Sequence, residues 1–576
     1  MPTTTIPLVG EFTQRGLNAG TAYAAGKDQK LINCLISLAQ NEVTKSTIPF
    51  VEKRPGFISI GNSTRYGSVI TGWDQDPSKS LFASSTSAAL TAGNLYLTAA
   101  NSVGTFETGA TVKSITSFVK TDTIFSTTVQ STYYVITTDN NLYYIRDAYP
   151  TQFTFTGNTS SGSAIVSSIA GLSPDTGVLD IGNALSGTGI PVGARVLTID
   201  SATQITMTAN ATANGSGVTI TREIIAKVID ADAVFTELCG GAVEMDGYVF
   251  ALDRLTGRIY NSDLNNINSW SPNNYIPTVA KGLSAWLIKA GNKLLAFKAG
   301  GIDFYQNEGN PSGSPLSRIN GMSLTIGSRI TLGDIPVPVC QLGDDTFFVG
   351  SGTGGLSIYL LRGTDVSKIS NPIIDNILDE TMVGSGSGSL VSSISASQIG
   401  GYKVLCLSGN ALSSTARNWF YFIDSNTWVE GPSFSGLRLG YGAQGNNCFA
   451  VSRTANSKDA YKWAIETGTL AYQDNGSAFT MTIQTEPKVL NKGKGFKIDS
   501  IELLADTQSS GETTLEISRD DYGTWQVLGV FNLAKTRKRI TRCGYCRSSA
   551  AFRLSDAGNN AWRGQALIVN HEPCAA

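Results

Sequence analysis

Between Phe235 and Val429 one theme recurs: a short apolar run, a tight polar turn, a second apolar run, then a longer connection. Gly247-Tyr248-Val249-Phe250-Ala251-Leu252 is followed by Asp253 to Gly257 and by Arg258-Ile259-Tyr260. Trp286-Leu287-Ile288-Lys289, Gly291-Asn292 and Leu294-Leu295-Ala296-Phe297 repeat it, and Ile302-Asp303-Phe304-Tyr305 follows Gly301. Thr346 to Gly350 with Leu356 to Leu361 forms a third unit, and Tyr402 to Leu407 with Trp419 to Ile423 a fourth. Runs this short, rich in β-branched and aromatic residues, read as strands and not as helices. The Gly, Asn and Asp between them supply positive φ or side-chain-to-backbone hydrogen bonds, so the punctuation has a mechanism. A recurrence at roughly 45 to 55 residues suits four-stranded propeller blades. The expectation is an all-β chain with a β-propeller over residues 65–150 and 222–487. Because no WD or kelch signature is present, a series of sandwiches is the rival architecture.

Bulk properties narrow the function more by exclusion than by suggestion. A chain of 576 residues exceeds what one core usually serves, so two to four domains are expected. Only 15% of residues are charged, and 61 Gly with 20 Tyr, 23 Phe and 8 Trp favours strands and turns. A net charge of −2 argues against an electrostatic nucleic-acid binder or a polybasic membrane protein. So little charge on so long a chain also suits a surface covered by partner subunits. Met1 to Gly10 has neither a basic start nor an apolar core, and no stretch approaches the roughly 20 apolar residues of a membrane span. The chain is therefore expected to fold in a cytoplasm without a membrane anchor. Eight cysteines, at 34, 239, 340, 406, 448, 543, 546 and 574, are scattered as small core residues and form no disulfide framework.

Residues 151–221 interrupt the propeller theme with only four charged residues: Asp175, Asp180, Arg195 and Asp200. Val196-Leu197-Thr198-Ile199-Asp200 and Gln204-Ile205-Thr206-Met207-Thr208 alternate as half-buried strands, so an inserted small β-domain, Ig-like in size, is expected in a blade loop. It resembles a β-module of phage tail and fibre proteins. After Pro487 the texture changes again, and residues 488–576 read as a β-sandwich whose hairpin turn is Ser518 to Trp525.

Each chemical motif competes with a plainer reading. Ser518-Arg519-Asp520-Asp521-Tyr522-Gly523-Thr524-Trp525 is close to the Asp-box turn of sialidase-like propellers, with its Gly one place late, and such a turn is structural. A glycosidase needs two carboxylates about 5 to 9.5 Å apart around a sugar, and no motif presents such a pair. Cys543, Cys546, His571 and Cys574 could make a Cys₃His zinc site, but residues three apart on a strand face opposite ways unless a turn at Gly544 intervenes. Two ordinary strand cysteines, and no metal, is the reading adopted. Any Ser-His-Asp arrangement would have to use His571, the single histidine. Gly384-Ser385-Gly386-Ser387-Gly388 lacks the context of a phosphate cradle and reads as an inter-blade loop. Tyr143, Tyr144, Trp286, Phe347 and Trp419 read as core. No cofactor is expected, and the chain is read as not an enzyme.

Lys535-Thr536-Arg537-Lys538-Arg539-Ile540-Thr541-Arg542 is the one basic run, and residues 488–553 hold twelve Lys and Arg against seven Asp and Glu. Lys535, Arg537, Lys538, Arg539 and Arg542 are expected to contact a partner subunit; the plainer reading is a strand edge guarded by charge.

Ile32-Asn33-Cys34-Leu35, Lys53-Arg54-Pro55-Gly56-Phe57 and Ala551-Phe552-Arg553-Leu554-Ser555-Asp556-Ala557-Gly558 bracket the chain. With the β-rich middle they resemble the tail hub, or nozzle, of short-tailed phages, the packaged-DNA stabilisation family. The resemblance spans about Leu8 to Asn570 apart from 151–221. It implies that the arm 1–64 joins 488–576 in a platform facing the capsid. It further implies a homo-hexameric virion protein, assembled in the host cytoplasm below portal and adaptor proteins and carrying tail fibres or tailspike. Double-stranded DNA would be retained in its lumen, without sequence specificity, and released on ejection, with the Gly384 to Ser389 loop a candidate hinge. The alternative is a receptor- or glycan-binding tail protein that uses the insertion, and behind it a tail-associated glycosidase.

Overall fold

The computed structural model describes residues 2–9, 30–40, 47–59, 66–72, 80–85, 94–97, 101–105, 112–124, 127–146, 152–170, 179–310, 312–328, 338–352, 355–383, 393–399, 401–408, 418–431, 438–440, 449–451, 460–464, 472–491 and 494–574. The Gly384 to Ser389 loop and Cys448 lie outside them.

Among the described residues, seven antiparallel sheets follow one another around a closed ring. Blade 1 comprises Tyr66–Gly72, Ser80–Ser85, Asn94–Leu97 and Asn101–Thr105. Blade 2 comprises Ser114–Ile124, Thr127–Thr137, Leu142–Arg146 and the end of Gly215–Lys227. Blade 3 runs from Val243–Met245 to Asn266–Pro277, and blade 4 from Ser284–Ala290 to Leu316–Leu324. Blade 5 extends from Gly327–Ser328 to Asp365–Lys368, and blade 6 from Ser393–Ile399 to Thr427–Glu430. Blade 7 takes Arg438–Gly440, Phe449–Val451 and Ala460–Trp463.

The continuous apolar runs have a direct physical cause. A strand within a blade is covered on both faces, so alternate residues serve different neighbours. Val249 and Ala251 share a core with Tyr133 and Val135 of blade 2, whereas Phe250 and Leu252 pack with Leu287, Leu294 and Ala296 of blade 4. One blade on, Leu295 and Phe297 turn to Phe348 and Leu361 of blade 5. Phe347 and Val349 in turn pack on Ile394 and Leu405 of blade 6. Tight turns obey the same chemistry: Asp246 (φ 53°) and Gly247 (φ 85°) both lie in the left-handed region, as a two-residue hairpin turn requires.

The fourth strand of blade 7 comes from the N-terminal arm. Phe57–Ser59 pairs with Ala460–Trp463, and the first strand of blade 1 lies against blade 7. The last blade thus contains the chain segment that leads into the first. Phe57 is fully buried, its ring 4.4 Å from that of Trp463. Immediately before it, a Cβ on Gly56 would sit 1.8 Å from the Gln473 carbonyl oxygen, so only glycine fits.

Two features depart from an unbroken series of strands. Pro372–Val383 is a helix capped by Asn371, whose Oδ1 accepts from the Ile374 N–H at 3.0 Å. It drives Ile374 and Leu378 into the junction of blades 5 and 6. The insertion leaves blade 2 after its third strand and returns as its fourth. Gly215–Lys227 pairs with Phe153–Thr159 inside the module and then with Tyr143 and Tyr144 of the blade. The module keeps its own core of Phe155, Val166, Val196, Ile205, Met207 and Ile220.

The platform is a sandwich of two sheets. One contains Thr3–Pro7, Cys34–Gln40, Thr47–Lys53, Arg563–Pro573, Phe496–Ala505 and Lys538–Cys546. The other contains Lys30–Ile32, Met481–Gln484, Ala551–Asp556, Glu512–Ser518 and Gln526–Asn532. Two expected boundaries shift. Met481–Gln484 belongs to the sandwich although it precedes residue 488, and Phe57–Ser59 leaves the arm for blade 7. Lys30–Ile32 also pairs in parallel with blade 6 at Glu430, so the second sheet continues into the propeller without a break.

Phe57→Ala should cost about 3 to 5 kcal/mol, the range for truncating a buried aromatic. Chemical denaturation would measure the loss. Hydrogen exchange should show blades 1 and 7 losing protection before blades 3 to 5.

Candidate functional site

The three motifs at the ends of the chain meet in one place. Asn33 adopts a left-handed φ of 56°, which Asn tolerates better than most residues. Its amide then works both ways: Nδ2 donates to the Thr480 carbonyl at 2.9 Å, and Oδ1 accepts from Arg54 Nε at 2.9 Å. The Arg54 guanidinium forms a two-pronged pair with Asp474, with Nη1 to Oδ1 at 2.8 Å, and its plane lies 3.9 Å from the Phe479 ring centroid. Asp474 Oδ1 also accepts from the Phe57 N–H at 3.1 Å, which couples the pair to the ring-closing strand.

Beside it, Lys53 Nζ reaches Asp556 Oδ1 at 2.7 Å and also donates to the carbonyls of Asp556 and Gly558. Neither side chain of this pair is exposed to solvent. Burial pulls the Lys53 pKa below its ordinary value, and the Asp556 carboxylate opposes that shift. The second carboxylate oxygen accepts from Thr513 Oγ1 at 3.4 Å, and that hydroxyl accepts from Trp562 Nε1 at 2.8 Å. The node therefore joins arm, sandwich and propeller through charges of which Lys53, Arg54 and Asp556 have no water to fall back on.

The basic run lies on Lys538–Cys546 and just before it. That strand pairs only with Phe496–Ala505 and forms one edge of its sheet. Lys535, Arg537, Arg539 and Arg542 are exposed. Arg537 pairs with Glu502 at 2.9 Å, and Arg539 donates to Ser500 Oγ at 2.8 Å. Lys538 is not a partner-facing residue. It is 2% exposed and donates to the Ala505 carbonyl at 3.0 Å, because strand alternation turns it inward.

The Cys₃His set is not brought together. Ile498 pairs with Gly544 on one side and with His571 on the other, so a whole strand separates the cysteine pair from the histidine. Two interstrand spacings, about 9.5 Å, exceed any zinc-ligand geometry. His571 Nε2 instead meets Thr4 Oγ1 at 3.1 Å. Among the described residues, no group of three His, Cys, Asp or Glu is placed to share a metal ion. Cys543 and Cys546 both point inward, because positive φ at Arg542 and Gly544 breaks the alternation, and burial pushes the Cys543 thiol up to about 11.

Ser518 to Trp525 is a tied turn. Asp520 Oδ1 accepts from the Thr524 N–H at 2.8 Å and from Ser518 Oγ, and these bonds with the Thr524 hydroxyl hold its carboxyl down to about 2. Trp525 carries the Arg553 guanidinium 4.3 Å above its ring, and Arg553 is paired with Glu516. Tyr143, Tyr144, Trp286 and Phe347 are core residues, and Trp419 is half-buried against the same packing.

Sequence reasoning passed over two propeller aspartates with organising roles. Asp253 is fully buried and accepts from the backbone of Thr236, Glu237, Leu255 and Thr256. Asp303 accepts from Val279 and Ala280 and pairs with Arg318 at 3.2 Å. Sequence reasoning also missed a groove between blades 2 and 3, lined by Phe118, Lys120, Tyr133, Glu244 and Asn266. Only register shows that these residues meet.

No protein-family model matches the chain, and no curated protein matches it. Among solved structures, an exo-β-1,3-galactanase from Phanerochaete chrysosporium aligns at 9% identity over 57% of this chain and 95% of its own, with a TM-score of 0.24. A putative exported protein from Bacteroides fragilis aligns at 11% identity over 37% and 78%, with a TM-score of 0.19. A glycoside hydrolase aligns at 9% identity over 94% and 98%, again at 0.19. Scores this low carry no argument about fold or activity. No helix among the described residues is long and apolar enough to cross a membrane.

Lys53→Met leaves Asp556 buried without its counter-charge and should cost about 3 to 5 kcal/mol in denaturant titrations. Adding Asp556→Leu should recover most of that loss. His571 offers a pH test. Burial lowers its pKa, so its contribution is present above the unfolded value near 6.5 and is lost as pH falls through the folded value. Protection factors in Thr3–Pro7, corrected for the slower intrinsic exchange at low pH, should therefore fall on acidification below that value, and His571→Gln should flatten the response.

Proposed function

We propose that this protein is the tail nozzle of a short-tailed phage: a structural virion component whose copies ring a channel below portal and adaptor, hold the packaged genome and open for ejection. The observation that carries the reading is the convergence of Asn33, Lys53, Arg54 and Asp556, from the three motifs that bear the family resemblance, in one buried node. A platform built from both ends of the chain needs these motifs to meet, and they do. An arm and sandwich fused to a closed propeller also suit a part that must withstand internal pressure. Six copies around an axis would close a ring without open ends.

A non-enzymatic role fits the aspartates, since Asp253 and Asp303 are occupied by backbone N–H groups that fix loops. The exposed arginines of the basic edge are the proposed contact with an adaptor. Such a contact places charge where docking and register are chosen.

A nonsense mutation of this gene in the parent phage tests the proposal. Capsids should fill and then lose their DNA. Full, DNA-retaining particles that fail to adsorb would overturn the nozzle and move the role to receptor binding. Reversing Arg537 and Arg542 to Glu breaks the surface pair with Glu502 and should cost the monomer no more than about 1 kcal/mol. It should nevertheless block tail attachment, scored by electron microscopy of assembled particles.

A further inference from the structure

Blades 2 and 3 leave between them a cavity of about 250 Å³ whose lining is unlike the core on either side of it. Its floor is the end of a stack of three rings. Tyr144 lies under Tyr133 (centroids 5.8 Å apart), and Tyr133 lies under Phe118 at 5.4 Å, with the last two planes only 5° from parallel. Tyr144 is sealed in the core between the blades, Tyr133 is buried with one side at the groove, and Phe118 is half-buried at the groove.

Polar groups stand around this floor, each fixed by a contact of its own. Lys120 Nζ bridges the blades to the Asn265 carbonyl at 2.8 Å. Glu244 Oε1 accepts from the Gly247 N–H at 2.8 Å and Oε2 faces Lys289 Nζ at 3.7 Å, which orients the carboxylate and leaves lone pairs on both oxygens. Asn266 Oδ1 accepts from the Asn268 N–H at 3.0 Å, so its NH₂ is the end left to donate outward.

We infer that this groove binds one pyranose unit of a neutral glycan, with its C–H face on Phe118 and its hydroxyls on Glu244, Asn266 and Lys120. A pyranose has one apolar face and a rim of groups that donate and accept, which matches a flat ring circled by fixed acceptors and donors. The charges suit an uncharged ligand: Glu244 is balanced by Lys289, and Lys120, held on a carbonyl, disfavours a cation. The volume lies just below the roughly 300 to 1,000 Å³ of drug-sized pockets, which fits one ring and not a chain of them. The site is separate from the inserted module and does not depend on the nozzle reading.

The full-length protein would be tested by saturation-transfer NMR with methyl glucoside, methyl galactoside and methyl N-acetylglucosaminide. At least one should receive saturation at its ring C–H protons. Phe118→Leu should weaken that ligand about tenfold, and exposed Asn266→Ala should weaken it severalfold with an unchanged melting temperature. If Phe118→Leu does not fold, Asn266→Ala decides alone. Two results overturn the site: no glycoside binds, or binding is unchanged in the folded variants. Genome retention in the phage is read independently, so either proposal can fail without the other.

Discussion

Two ion pairs, Lys53 with Asp556 fully buried and Arg54 with Asp474 nearly so, decide how the ends of this chain are joined. Their partners come from the arm, the segment after the propeller and the last third of the sandwich, so neither pair forms until the whole chain has come together. Charges moved out of water gain little net stability even when well paired. What they provide is intolerance of alternatives: any other register of Thr47–Lys53 would leave a buried ammonium or carboxylate alone. An apolar joint would permit slippage by two residues, and this one does not.

The same joint explains why the propeller closes as it does. Arg54 fixes Asp474, Asp474 fixes the Phe57 amide, and Phe57–Ser59 completes blade 7. Platform assembly and ring closure are one event in structural terms. The edges follow a complementary logic. The ring leaves no blade without neighbours, whereas the sandwich ends at Lys538–Cys546, an edge strand that carries exposed arginines and a break in its alternation. Both features deter uncontrolled strand pairing.

The blades were legible because a strand covered on both faces must be apolar at successive positions, and Val249 to Leu252 and Leu294 to Phe297 are. Their number was not, since blade 1 and blade 7 are written in shorter, more polar strands and the seventh borrows a strand from residues 57–59. The end motifs were visible as motifs, but nothing in local sequence says that Asn33 faces Arg54 or that Lys53 faces Asp556. Such pairings are set by long-range register. The cysteine and histidine spacing misled for the opposite reason. Proximity along the chain near its end suggested a cluster, and the strand Phe496–Ala505 inserts between its members. Lys538 illustrates a smaller failure: a run of like charges hides the alternation that sends one of them inward. The groove beside Phe118 had no sequence signal, because its residues come from four separate strands and turns.

The strand Gly215–Lys227 runs along the inserted module and joins blade 2 at Ala226 and Lys227, and at about 3.3 Å per residue its 13 residues make a beam of some 43 Å. A module hung on a flexible linker would absorb a pull; one built on a shared strand passes it on. Load applied to the insertion would enter blade 2 at the end of that strand, in shear across its pairs with Tyr143 and Tyr144. It would then reach the stacked rings that blade 2 presses against blade 3. The insertion is thus mechanically a lever arm, with its fulcrum at the wall between these two blades.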